Sequence, residues 1–208
     1  MNKTFISVIC LLAIWLGPSW AKSCCSEGTA LTAYHPLDAD LEAAFAEVTG
    51  PYDKVEFETP RPEEAAAYLG LSPERKKFTL EDIKFPVLVV EIFTTSCPHC
   101  QHDAKNFNAI YDLILQKGLQ DKIKIIGIGM SNSNPEIDAY RKKFGVSFPL
   151  ISDRDNAAYR FVGRVQIPFF MVLKRTETGQ LKKVYEKSRE KRKPDDVLKT
   201  IVSSSGIE

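Results

Sequence analysis

An apolar run, Pro86-Val87-Leu88-Val89-Val90-Glu91-Ile92-Phe93, passes through Thr94-Thr95-Ser96 into Cys97-Pro98-His99-Cys100. Near-continuous apolarity marks a strand covered on both faces, and after Thr94-Thr95-Ser96 the chain opens a helix with the two cysteines. The first thiol then stands at a helix N-terminus, where the backbone N–H groups favour an anion and so the thiolate. The second cysteine lies one turn along the same helix and can close a disulfide with the first. An accessible nucleophile with a resolving thiol in reach is what thiol–disulfide exchange needs.

The start of the chain bears on compartment. Met1-Asn2-Lys3 precedes an apolar stretch from Phe5 to Leu16, broken at Gly17-Pro18 and followed by Ser19-Trp20-Ala21 as a small-x-small site. A basic start, a core shorter than the ~20 residues a spanning helix needs, and a cleavage-type site describe a signal peptide over residues 1–21, with an uncleaved anchor as the alternative. Export to an oxidising compartment, the bacterial periplasm, is the expected localisation. Of the five cysteines, Cys10 lies in this leader, which leaves Cys24, Cys25, Cys97 and Cys100. Neighbouring cysteines rarely bond each other. Lipidation at Cys24, pairing between chains and a free thiol therefore all stay open for Cys24-Cys25.

Lys3 is the one charged residue of the leader, so 28 basic residues become 27, against 27 acidic ones. That balance gives no reason to expect nucleic acid or a charged membrane surface as partner. The basic stretch from Lys187 to Lys193, interrupted by Glu190, reads as a solvated connection.

Residues 22–75 read as a leader and a mostly helical extension, with helices over 37–48 and from Pro62 to Leu69, and Phe78-Thr79-Leu80 as the start of a strand. Residues 76–208 form the main domain. Strands are expected at Val87–Phe93, Ile123–Gly129, Ile167–Leu173 and Leu181–Tyr185, with a short extended piece at Phe148–Ile151. Helices are expected from Cys97 to Lys117, from Pro135 to Phe144 (capped by Ser133 with Glu136 and stopped by Gly145), over 157–162 and over 194–202. The alternation predicts an α/β sandwich with a central mixed sheet flanked by helices.

These residues resemble a known family. Val87–Cys100, Ile125-Ile126-Gly127-Ile128, Phe144-Gly145 with Phe148-Pro149-Leu150 and Asp153, and Ile167-Pro168 before an apolar strand occur in thioredoxin-fold order. The chain looks most like the exported TlpA/ResA-type redoxins, and Pro98-His99 is similar to the dipeptide of the oxidising DsbA type. The resemblance implies a thiol–disulfide oxidoreductase acting on protein thiols and disulfides, without a cofactor. A membrane electron donor or acceptor is a further expected partner. By similarity Cys97 attacks and Cys100 resolves. Pro168 is a cis-proline facing them, and Ile167 offers its backbone to an extended substrate. Ser96 stands where many relatives have tryptophan, and Lys105 where many have a helix-kinking proline.

Two further residues join the candidate site. Glu91, the one charge in its strand, stands where thioredoxins have a buried acid; desolvation should raise its pKa and let it take the Cys100 proton. His99 is expected to favour the Cys97 thiolate, which makes the disulfide more oxidising. The TlpA/ResA likeness leans towards reduction, so the direction of electron flow stays open. The rival reading is a copper- or other metal-handling protein using Cys97, Cys100 and a histidine. Structural metal sites usually need a second ligand pair, which is absent nearby. The peroxiredoxin pattern Pro-x-x-x-Thr-x-x-Cys fits Thr94 but would put proline where Val90 stands.

Overall fold

The computed structural model describes residues 52 and 54–207, except residue 73. The expected leader over 1–21, Cys24 and Cys25, and the expected helix over 37–48 lie outside the described residues. In chain order the elements are β1 (Phe57–Glu58), α1 (Glu63–Tyr68), β2 (Lys77–Phe78), β3 (Val87–Phe93), α2 (Pro98–Gln116), β4 (Ile123–Met130), α3 (Asn134–Phe144), β5 (Leu150–Asp153), α4 (Tyr159–Val162), β6 (Phe169–Arg175), β7 (Leu181–Ser188) and α5 (Pro194–Ser205). Among the described residues no helix is long and apolar enough to cross a membrane.

The main sheet runs β5-β4-β3-β6-β7. β3 pairs in parallel with β4, and β4 with β5, whereas β3–β6 and β6–β7 are antiparallel. β3 is the middle strand, and all seven of its residues are buried, as its continuous apolarity requires. Side chains alternate across a strand. Val87, Val89 and Phe93 accordingly pack on one face with Cys100, Phe107, Ile110 and Ile114 of α2, Ile137 and Tyr140 of α3, and Val197, Leu198 and Ile201 of α5. Leu88, Val90 and Ile92 pack on the other face.

That second face is covered by chain upstream of β3. Val55, Phe57, Ala66, Leu69, Leu71, Phe78, Leu80 and Ile83 share one core with the even-numbered residues of β3, and Ala157, Ala158 and Phe161 join them. The segment that the sequence reads as an extension thus supplies a layer of the sandwich. Lys124 reinforces the contact: its Nζ lies 4.3 Å from the ring centroids of both Tyr68 and Phe85, a cation–π arrangement. The Tyr68 hydroxyl accepts the Ile125 N–H at 3.0 Å.

Most element boundaries agree with the periodicity, and three differences have local causes. The strand expected from Phe78 to Leu80 ends at Phe78, because the Thr79 N–H and hydroxyl both donate to the Asp82 carboxylate (2.8 and 3.0 Å) and open a 3₁₀ turn over Leu80–Asp82. The strand expected from Ile167 begins at Phe169, because Pro168 has no N–H to give to the ladder; the Ile167–Pro168 peptide bond is cis. Cys97 is the N-cap of α2 and not its first helical residue. In α3 the expected cap is present, Ser133 donating from its N–H and hydroxyl to Glu136 at 2.7 Å each. Gly145 ends that helix at φ +60°, where a side chain would be strained.

Because Leu69 is 0 % exposed in this upstream layer, Leu69→Ala is expected to destabilise the protein by ~2–5 kcal/mol, as for any fully buried leucine. Urea denaturation measures this directly; a loss below ~0.5 kcal/mol, the range of a surface change, would mean that the segment covers the sheet without stabilising it.

Candidate active site

The register of the sheet assembles the site. Ile92 near the end of β3 lies opposite Phe169 at the start of β6, and Phe169 lies opposite Ser188 at the end of β7. The chain leaving β3 towards Cys97, the Ile167-Pro168 turn entering β6 and the chain leaving β7 at Arg189 therefore share one end of the sheet. The end of β4 is there too, since β3 and β4 are parallel and Phe93 is level with Gly129.

Four residues separate the buried strand from the first turn of α2. Within them the Cys97 N–H donates to the Thr94 carbonyl at 3.2 Å. The Cys97 sulfur accepts the backbone N–H of Cys100 at 3.4 Å, one of the donors that a helix start leaves unpaired. No acidic residue lies in the first turn of α2 to compete for that positive end. Cys97 is half-buried and Cys100 fully buried, both as free thiols. Burial, then the hydrogen bond with Cys97, pushes the Cys100 thiol far above its ordinary value, and Glu91 pushes it the same way.

Glu91 is 3 % exposed. Flanked by Gly127 on β4 and Phe170 on β6, it belongs to the odd-numbered face of β3 that meets α2. Its Oε1 has no hydrogen-bond partner. Burial, followed by the carboxylate of Asp103, raises its pKa to about 8. Tyr140 closes this region from α3, donating its hydroxyl to the Cys100 carbonyl at 2.9 Å.

His99 is exposed, and with Pro168, His102, Asp103, Arg189 and Lys191 it borders an open groove of ≈ 370 Å³. Ile167 is partly buried and packs against both cores. Cys97, Cys100, Glu91, His99, Ile167 and Pro168 are thus gathered at one end of the sheet. Among the described residues no three His, Cys, Asp or Glu side chains come together as a metal cage.

Two residues missed in the sequence reading shape the loop before Cys97. Asn132, 4 % exposed, accepts the Thr95 N–H and donates to the Thr95 hydroxyl, both at 2.9 Å. Gln101 donates to the Thr95 carbonyl at 2.8 Å. The available signal was topological: in a parallel pair the loops leaving both strands meet, so a polar residue just after β4 is placed to hold the loop after β3.

Comparison with known proteins bears on the family and the fold. The model of the AhpC/TSA family matches residues 57–190. The thiol-disulfide oxidoreductase ResA of Geobacillus thermodenitrificans (strain NG80-2) is 19 % identical over 111 residues, which is 53 % of this chain and 60 % of that protein. The chain therefore spans less than two thirds of that relative's length. Among solved structures, StoA from Bacillus subtilis superposes with a TM-score of 0.51 at 16 % identity, covering 72 % of this chain and 98 % of StoA. A thioredoxin-family thiol:disulfide interchange protein from Chlorobium tepidum TLS gives 0.50 at 17 % identity, covering 76 % of this chain and 98 % of that one. At these identities the structural likeness establishes a thioredoxin-like fold.

The environment of Glu91 has a consequence for stability. With its folded pKa at about 8 and an unfolded value near ~4.3, the folded state holds the Glu91 proton across a window where the unfolded state has released it. Stability from this group is complete below the lower value and is lost as pH rises towards the upper one, with a slope of at most ~1.4 kcal/mol per pH unit. In a background with Cys97 and Cys100 replaced by serine, the stability of the Glu91 protein relative to Glu91→Gln should fall steadily from about pH 5 to about pH 8. Denaturation curves across that range test this, and a difference independent of pH would show that Glu91 is not held protonated.

Proposed function

This chain belongs to the AhpC/TSA family, and on that premise we propose that it is a thiol–disulfide oxidoreductase exchanging disulfides with exported protein substrates through the Cys97–Cys100 pair. The observation that carries this reading is the Cys97 sulfur at the start of α2, half-exposed and accepting the Cys100 N–H, with Cys100 fully buried one turn behind it. One thiol meets the substrate and the other waits beneath it. Val90, standing where the peroxiredoxin pattern has proline, supports exchange over peroxide chemistry.

In the reducing direction the Cys97 thiolate attacks one sulfur of a substrate disulfide. The substrate S–S bond breaks, one substrate thiolate leaves and takes up a proton, and Cys97 is joined to the substrate by a mixed disulfide. Cys100 then gives its proton to the Glu91 carboxylate and attacks the Cys97 sulfur. The Cys97–Cys100 bond forms, and the second substrate thiolate departs with a proton. Two electrons pass to the substrate, and the reverse sequence oxidises a substrate dithiol. Burial of both Cys100 and Glu91 supports this pairing. A thiol raised so far by its surroundings needs a base, and a carboxylate poised at about 8 can take a proton and return it near neutral pH.

His99 at the groove is assigned to favouring the Cys97 thiolate. Ile167, beside the cis-proline Pro168, is assigned to holding an extended substrate segment through its backbone. Export rests on the signal-like residues 1–21, and the proposed electron-exchange partner is a membrane protein.

Mixed-disulfide formation and resolution can be separated by rapid mixing of the reduced protein with a disulfide peptide, followed by acid quench and mass mapping. Iodoacetamide should label Cys97 before Cys100, and Glu91→Gln should slow resolution by ~10²-fold while the adduct forms on Cys97 as before, the low end for loss of a general base. Labelling of Cys100 first would reverse the two roles. Resolution at the parental rate would leave Glu91 without a part in proton transfer.

A further inference from the structure

The stretch Lys187–Lys193 is not remote from the chemistry. β7 delivers Arg189 to the same end of the sheet as the dithiol, and the Arg189 N–H donates to the Pro168 carbonyl at 2.7 Å. The turn beyond it is fixed from inside. The Glu190 carboxylate accepts the backbone N–H groups of Lys191 and Arg192 at 2.9 Å each and pairs with the Arg192 guanidinium at 2.6 Å. Arg192 in turn donates to the Tyr185 hydroxyl at 2.8 Å and the Thr200 hydroxyl at 2.7 Å, tying the turn to β7 and α5.

These bonds use up the one acid of the segment and one of its bases. Arg189 and Lys191 are left exposed on the rim of the His99–Pro168 groove, and among the described residues neither is paired with a carboxylate. On the α2 side of the groove the facing charge is Asp103, engaged by Asn106 and His102 at 3.4 Å each. The groove therefore has one rim carrying two cations unpaired with any carboxylate, on a turn whose backbone is held before any partner arrives.

Resting on the exchange reading above, we propose that Arg189 and Lys191 form an electrostatic docking rim, and that this protein selects substrate segments carrying acidic residues beside the reactive cysteine. An extended segment whose sulfur reaches Cys97 passes between the His99 and Pro168 sides of the groove, which brings its neighbouring side chains to that rim. Carboxylates there gain attraction and speed productive encounter, whereas lysines are repelled.

The test uses reduced protein and three symmetrical disulfide peptides whose cysteine is flanked by Asp, Ser or Lys. Stoichiometric reduction is followed at about 20 mM and about 500 mM salt, on either side of the concentration at which the Debye length is ~10 Å. The Asp peptide should be reduced at least ~10-fold faster than the Lys peptide at low salt, the lower end of electrostatic steering, and the gap should largely close at high salt. In R189E/K191E the order of the Asp and Lys peptides should reverse; because rates are compared within one protein, partial loss of active protein cancels. Equal rates for the three peptides with the parental protein, or a preference insensitive to salt, would overturn the docking rim while leaving exchange intact. Failure to exchange with the Ser peptide in either direction, neither reducing its disulfide nor oxidising its thiol form, would instead remove the exchange reading, and the rim with it.

Discussion

A strand buried on both faces has no room for a charge, yet β3 carries Glu91 at its fifth position with one carboxylate oxygen unpartnered. Burial of that group sets the chemical character of the whole site. It keeps a proton in the core near neutral pH, beside a Cys100 thiol that its own burial, first of all, and its hydrogen bond with Cys97 already push up. It also makes the protein less stable as that proton is lost. An unpartnered buried carboxylate costs folding free energy that a glutamine would largely spare. Its burial beside Cys100 fits the proposed role of taking the proton of that inner thiol.

Three strand ends converge above that carboxylate because of register, with Ile92 opposite Phe169 and Phe169 opposite Ser188. The parallel neighbour β4 brings Asn132 to the same place, where it pins Thr95. Each element alone is ordinary. Together they hold the first cysteine at a helix start, the second behind it, and the Pro168 turn across a groove from His99. The same convergence puts Arg189 and Lys191 on that groove, so a segment that is only a connection in sequence becomes one of its walls.

Local patterns made the central part of this arrangement legible. The apolar run ending at Phe93, the Cys97-Pro98-His99-Cys100 helix start, the Ser133–Glu136 cap and Gly145 stop are all encoded within a few residues of where they act, and the mixed α/β sandwich is as the alternation implied. What escaped depends on distance in sequence. Asn132 is 37 residues from the Thr95 it holds. Phe57 shows no period, and the helical spacing that ends at Leu69 does not reveal the sheet face it covers. Thr79 and Asp82 form a cap so short that alternation around it imitates a strand. The placement of Arg189 follows from strand register, which composition does not report.

The central claim is that Cys97 and Cys100 act as one redox couple. Its most direct measurement is the equilibrium of the protein with redox buffers of graded potential, the two thiols being trapped and counted by mass. A single two-electron transition with a midpoint between about −270 mV and about −120 mV, the range from thioredoxin to strongly oxidising relatives, is the expected result. Absence of a Cys97–Cys100 disulfide across that range, or oxidation of the two thiols in separate steps, each to its own mixed disulfide with the buffer, would contradict it.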